Sequence, residues 1–115
     1  MADPDDSALR ARYLPRLMAE GEALDAQSQA SATDRQPVAL DQQSVGRLSR
    51  MDAMQQHAMA AAQETRRAGR HRAITAALAR LEAGDFGYCD DCGDFIGTKR
   101  LDLDPTLMRC MSCAG

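Results

Sequence analysis

Cys89-Asp-Asp-Cys92 and Cys110-Met-Ser-Cys113 are the residues of this 115-residue chain whose type and spacing most directly imply chemistry. Each pair leaves two residues between its thiols, and 17 residues (93–109) separate the pairs. Two such turns, each offering two thiolates, fit the C-x2-C-x15–20-C-x2-C pattern of a tetrahedral zinc site. Gly93 directly follows the first pair, where chain bending around sulfur favours a residue tolerant of positive φ. Four thiolates leave no position for water. The expected ion is therefore one structural Zn2+ that activates no nucleophile, and folding of the module should depend on it. Two disulfides, or a redox or iron site, are the alternatives these four residues leave open.

No catalytic constellation accompanies the thiols. His57 and His71 are 14 residues apart and roughly share a helix face, but no Cys or carboxylate pair joins them, and they read as exposed helix histidines. The Ser and Thr residues lie outside any nucleophile motif. Asp85, Asp90, Asp91, Asp94, Asp102 and Asp104 lack metal-loop spacing and read as solvated turn residues. On these grounds the chain is expected not to be an enzyme.

The elements that must position the thiols are thin. Hydrophobic residues make up 44% of the chain but aromatic ones only 3%, with no Trp. Ala supplies much of the apolar count and buries little area per residue. This excludes a two-domain enzyme, a membrane-spanning chain and an aromatic platform for single-stranded nucleic acid. Residues 7–30 read as a helix capped by Asp5, Asp6 or Ser7, with Leu9, Tyr13, Leu17 and Leu24 near helical spacing. Pro15 should kink that helix or mark its true start. Turn chemistry around Pro37 breaks the pattern over 31–41. A second helix is expected over about 42–83, ending at Gly84. Val45, Leu48, Met51, Ala58 and Ala62 share one face, which Ile74, Leu78 and Leu81 resume. Met51, Met54 and Met59 with many Ala suit a narrow packed seam between the helices. The expected fold is mostly α: an antiparallel helical hairpin (coiled coil) over 1–83, its tip at about 31–41, followed by a small four-Cys zinc-finger module over 84–115.

Charge is segregated. The net charge is −3, but residues 47–80 hold seven Arg against two acids, between acidic ends. Arg66, Arg67, Arg70, His71 and Arg72 crowd a stretch that is almost wholly polar from Gln63 to Arg72 and reads as a solvated rod or a docking face. On a helix Arg66, Arg67, Arg70 and His71 fall within an arc of about 140°. Such a face suits an acidic protein surface, an anionic ligand or, less well, DNA or RNA. The N-terminus lacks the basic and apolar regions of a signal peptide, and no run is long and apolar enough to span a membrane. Paired thiols without a secretory signal point to a cytoplasmic protein.

The run Asp85-Phe-Gly-Tyr-Cys-Asp-Asp-Cys-Gly-Asp-Phe-Ile-Gly-Thr-Lys-Arg-Leu-Asp-Leu-Asp-Pro105 resembles the zinc segment of the DksA/TraR family of bacterial transcription regulators. Cys89, Cys92, Gly93, Ile96, Arg100, Leu101, Pro105, Cys110 and Cys113 occupy that segment's characteristic places. The resemblance is specific over 85–113 and architectural over 7–83. It implies a non-catalytic regulator whose partner is RNA polymerase, docked at the rim of the secondary channel with the hairpin inserted, and for some members the nucleotide alarmone ppGpp. The family's tip motif, Asp-x-x-Asp-x-Ala, is absent from the expected tip: Gln36-Pro-Val-Ala39 holds its place, with Asp34 and Asp41 as substitutes for the missing acids. Its literal match at Asp3, Asp6 and Ala8 is read as chance. The chain ends two residues after Cys113, so the C-terminal helix of many members, with any contacts it makes, is not expected. Candidate partner-binding residues are thus Asp34, Asp41, Arg66, Arg67, Arg70 and Arg72. Direct nucleic-acid binding by Arg66–Arg72, or dimerisation through a Met- and Ala-rich seam, are the competing readings.

Overall fold

The computed structural model describes residues 4–36 and 47–114. It is mostly helical: α1 (Asp6–Ala30), α2 (Arg47–Ala83), α3 (Thr98–Leu103) and α4 (Met111–Ala114). Among the described residues there is no strand, only an isolated antiparallel bridge between Tyr88 and Phe95. Asp41, Val45, the expected helix start at 42–46 and the Asp3 position lie outside the described residues.

Asp5 caps α1, its Oδ1 accepting the Ala8 N–H at 2.8 Å. The helix runs through Pro15, which marks no start. By packing the chain forms two compact units: Met1–Glu22 with His71–Gly115, and Ala23–Arg70.

In the first unit α1 and α2 run antiparallel: Arg10 pairs with Glu82 at 3.0 Å, and Gly21 lies near Ile74. Leu9, Tyr13 and Leu17, at successive i+4 positions, are at most 2% exposed. They share the unit's buried set with Ile74, Ala77 and Leu81 of α2 and with Phe86, Ile96 and Leu101 beyond it. Tyr13 and Phe86 stack at a tilt, ring centroids 5.3 Å apart. The aromatic poverty of the sequence is thus offset by placement, since Tyr13 and Phe86 are among the largest fully buried side chains.

In the second unit the same helices are also antiparallel, but the material between them differs. Ser28 donates to Glu64 at 3.0 Å, and Arg67 donates to Glu64 and to Ser31 at 3.0 and 2.8 Å. Past the end of α1, Arg35 donates to the Ser28 carbonyl at 2.8 Å, satisfying an acceptor the helix leaves open. His57 Nε2 lies 3.0 Å from the Arg35 carbonyl, which requires a proton on that nitrogen. Ala60 is the one buried hydrophobic residue described in this unit.

This overturns one expectation about the seam. Met51, Met54 and Met59 are 51%, 51% and 63% exposed, and Ala58 and Ala62 are exposed too. Periodicity finds the apolar stripe but not the direction in which it points. Here the side of α2 that faces α1 carries Ala60, Glu64 and Arg67, with Glu64 meeting Ser28 on α1 and Arg67 meeting Ser31 just past its end. The Gln63–Arg72 stretch is accordingly not simply a solvated rod. His57 and His71 are half-buried rather than exposed.

Candidate metal centre

The first Cys pair sits on a turn built by three short backbone bonds. Ile96 N–H donates to the Gly87 carbonyl at 2.7 Å, Cys89 N–H to Asp94 at 2.7 Å, and Gly93 N–H to Cys89 at 3.0 Å. Gly93 adopts φ +77°, the left-handed conformation its position was expected to need. Gly87 has φ +90°, and a Cβ there would stand 3.2 Å from Phe95 and 3.4 Å from Leu9. The second pair opens α4, with Cys113 and Ala114 N–H groups donating to the Cys110 carbonyl. Asp90 N–H donates to the Met108 carbonyl at 2.7 Å, and Arg109 pairs with Asp91 at 3.6 Å, so backbone and side chain both join the two Cys segments.

The result is a closed sulfur cluster. One Sγ from each of Cys89, Cys92, Cys110 and Cys113 lies within 4.8 Å of all the others, and none forms a disulfide. Cys92 and Cys110 sulfurs are 3.6 Å apart. A zinc–sulfur bond of about 2.3 Å sets tetrahedral sulfurs roughly 3.8 Å apart, so the donor set fits a Zn2+ ion in both identity and spacing. Backbone N–H groups of Cys92 and Cys110 aimed at the Cys89 sulfur lower its thiol to about 6. Its neighbours cannot follow. Cys113 is pushed up to about 12 by hydrogen bonding with the Cys110, Cys89 and Cys92 sulfurs. Cys92 is raised as well: the Asp94 N–H lowers it, but the Cys89 and Cys110 sulfurs outweigh that donor. Four sulfurs this close resist joint ionisation, and a divalent cation removes that conflict.

A second constellation, which the sequence reading assigned to solvent, secures the module to α1. Asp102 on α3 accepts two bonds from Arg12, at 3.0 and 2.6 Å, and a third from the Tyr13 hydroxyl at 2.8 Å. Arg16 donates to the Asp102 backbone carbonyl at 2.6 Å. Hydrogen bonds from Arg12 and Tyr13 hold the Asp102 carboxyl below the usual carboxylate range. Burial, then Asp102, raises the Tyr13 phenol. Asp104 is also engaged, closing a turn on the Thr106 N–H and hydroxyl. No local pattern announces such partners; the Arg12–Asp102 pair spans 90 positions of sequence. A cleft of about 340 Å³ beside Cys89 is walled by Arg80, Asp85, Tyr88 and Asp90.

Of the expected partner-binding residues, Asp41 lies outside the described residues and the other five differ in exposure. Asp34 is exposed in the turn after α1, while Arg66 and Arg72 are exposed on α2. Arg70 is half-buried. Arg67, only 15% exposed in its side chain, is committed to Glu64 and Ser31 and contributes little to an outward cationic face.

Residues 84–115 match the prokaryotic dksA/traR C4-type zinc finger. Over 40 residues the chain is 50% identical to the RNA polymerase-binding transcription factor DksA of Haemophilus influenzae, an alignment covering 35% of this chain and 28% of that protein. The Escherichia coli K12 protein of the same name is 45% identical over 40 residues, covering 35% of this chain and 26% of its own length. The chain thus matches only about a quarter of the length of these curated relatives. Beyond the zinc module the likeness is one of fold. The transcription factor DksA2 from Pseudomonas aeruginosa superposes with a TM-score of 0.71 at 21% identity, over 95% of this chain and 79% of that one.

Proposed function

We propose that this protein, which carries a prokaryotic DksA/TraR C4-type zinc finger at residues 84–115, is a non-catalytic cytoplasmic transcription regulator that binds RNA polymerase with its helical pair. In this reading Cys89, Cys92, Cys110 and Cys113 hold one structural Zn2+, and 84–115 acts as a module that secures the helices of 1–83. The observation that carries it is the four-thiol cluster inside the matched zinc-finger segment, in a chain 50% identical over 40 residues to a factor named for binding RNA polymerase. The fold supports it, since 95% of the chain superposes on a protein titled a transcription factor. Arg66, Arg70 and Arg72 supply cationic contacts to the polymerase or to ppGpp, and Asp34 and Asp41 act near its Mg2+ site. Arg67 serves the protein's own packing first. Direct DNA binding is disfavoured by the net charge of −3 and by Arg67's internal pairing.

Purified core RNA polymerase should retain the protein at low salt, and Arg66/Arg70→Glu should weaken that retention. Absence of retention sinks the proposal. In a promoter transcription assay, Asp34/Asp41→Asn should alter the effect on transcript yield if the tip acts as proposed. Tight binding to duplex DNA with a steep salt slope would instead establish the nucleic-acid reading.

A further inference from the structure

The chain leaves α1 without the usual signal for stopping a helix. Ser31, Ala32 and Thr33 follow Ala30 with neither Gly nor Asn, and no described non-glycine residue adopts positive φ. The backbone bonds of the turn are long, at 3.2–3.3 Å from the Ala32, Arg35 and Gln36 N–H groups. Side chains supply shorter ones. Arg35 folds back so that Nη2 donates to the Ser28 carbonyl at 2.8 Å and Nε to the Ser31 hydroxyl at 3.1 Å. His57 of α2 donates to the Arg35 carbonyl at 3.0 Å. Of residues 32–36 Arg35 alone is drawn inward, and its neighbours, Asp34 among them, are exposed.

A conflict of charge lies at the centre of this turn. Arg67 Nη2 also donates to Ser31 Oγ, at 2.8 Å, so two guanidinium groups converge on one hydroxyl. Like charges this close repel, and more strongly away from bulk water. Glu64 Oε2 lies 2.9 Å from Arg67 Nη2 and 3.7 Å from Arg35 Nε, and it accepts from the Ser28 hydroxyl at 3.0 Å. One carboxylate oxygen thus serves both cations. The Arg35, Glu64 and Arg67 side chains are 30%, 26% and 15% exposed, so solvent screens them only in part. We infer that Glu64 is the positioning residue of the turn at 31–36: its carboxylate neutralises the converging Arg35 and Arg67 and so fixes the backbone that presents Asp34. The inference deepens the polymerase reading and rests on it for what Asp34 then does; the hold on the turn rests on the geometry alone.

Trypsin reads the turn directly, because it must draw the Arg35 side chain out to cut before Gln36. The rate of that cut, followed by mass spectrometry on the full chain, tracks the population of the open turn. Glu64→Gln should speed it about tenfold, within the range for losing a hydrogen-bonded charge. Gln is a good helix former, so far-UV circular dichroism should not change. Glu64→Gln/Arg67→Gln removes the counter-charge together with one of the cations it opposes, and should return the rate towards wild type. Plain hydrogen bonding predicts the reverse, each loss adding to the last. A double variant cut as fast as Glu64→Gln overturns the inference, as does a Glu64→Gln protein cut within about twofold of wild type. In the promoter assay Glu64→Gln should lose the transcript effect as Asp34→Asn does, and the double variant should recover it, while core polymerase retains both within about twofold of wild type. A full transcript effect in Glu64→Gln overturns the positioning role. Should polymerase retain no form of the protein, the polymerase reading falls and the cleavage rates decide alone. A fast single variant and a recovered double then sustain the hold on the turn, and equal rates overturn it.

Discussion

The two packing units are held by opposite means although α1 and α2 contribute to both. In Met1–Glu22 with His71–Gly115, leucines, Ile74 and stacked aromatics are buried beside a thiol cluster. In Ala23–Arg70 the helices meet through Ser28, Ser31, Arg35, Glu64 and Arg67, with Ala60 as the buried apolar residue. Buried apolar area stabilises without regard to orientation, whereas a hydrogen bond adds only about 1 kcal/mol net and depends on geometry. The first unit should therefore hold most of the stability, and the second should open locally at lower cost.

The largest effect expected is from metal removal. Chelation of a structural zinc forfeits binding free energy of order 10 kcal/mol that is also folding free energy. Near-UV circular dichroism from Tyr13 and Tyr88 should vanish, and amide protection over 89–113 should collapse. Retention of both would refute a zinc-dependent first unit. Next, Phe86→Ala should cost about 3–5 kcal/mol in urea denaturation. Ala60→Gly, the nearest equivalent in the second unit, should cost only about 1 kcal/mol, and equal losses would break the contrast.

Asp102→Asn should have a smaller effect with a distinct pH signature. The Asp102 pKa is lowered in the folded protein, so its stabilisation is present above the unfolded value of about 4 and disappears as pH falls through the lower folded value. Wild type should lose stability over that acid range more steeply than Asp102→Asn, in paired melts. Smaller still, Glu64→Gln should leave near-UV dichroism intact while hydrogen exchange accelerates in residues 28–36. Burial raises this carboxyl, but the Ser28 and Arg67 donors outweigh it and the net shift is downward. Met59→Gln, on an exposed helix surface, should change stability by no more than about 0.5 kcal/mol.

What was legible in the sequence follows the range of the interactions. Ligand spacing is a local property, so the four thiols could be read from sequence and the structure brings them together. Leu9, Tyr13 and Leu17 could be read because each lies one turn from the next. The Asp102 anchor was missed because its partners on α1 lie some 90 positions away and nothing near Asp102 announces them. The methionine face was found but turned the wrong way. Its orientation depends on Ser28 and Ser31 being there to receive Glu64 and Arg67, a match between two helices that neither displays alone.

The anchoring of Arg12 by Asp102 also has a consequence for synthesis. The ribosome makes Arg12 long before its partner, and the intervening 90 residues take roughly 5–20 s to add at ordinary elongation rates. During that interval Leu9, Tyr13 and Leu17 have no zinc-finger module to pack on. The nascent first unit is therefore an open client, its α1 apolar residues uncovered until Phe86, Ile96 and Leu101 have been added.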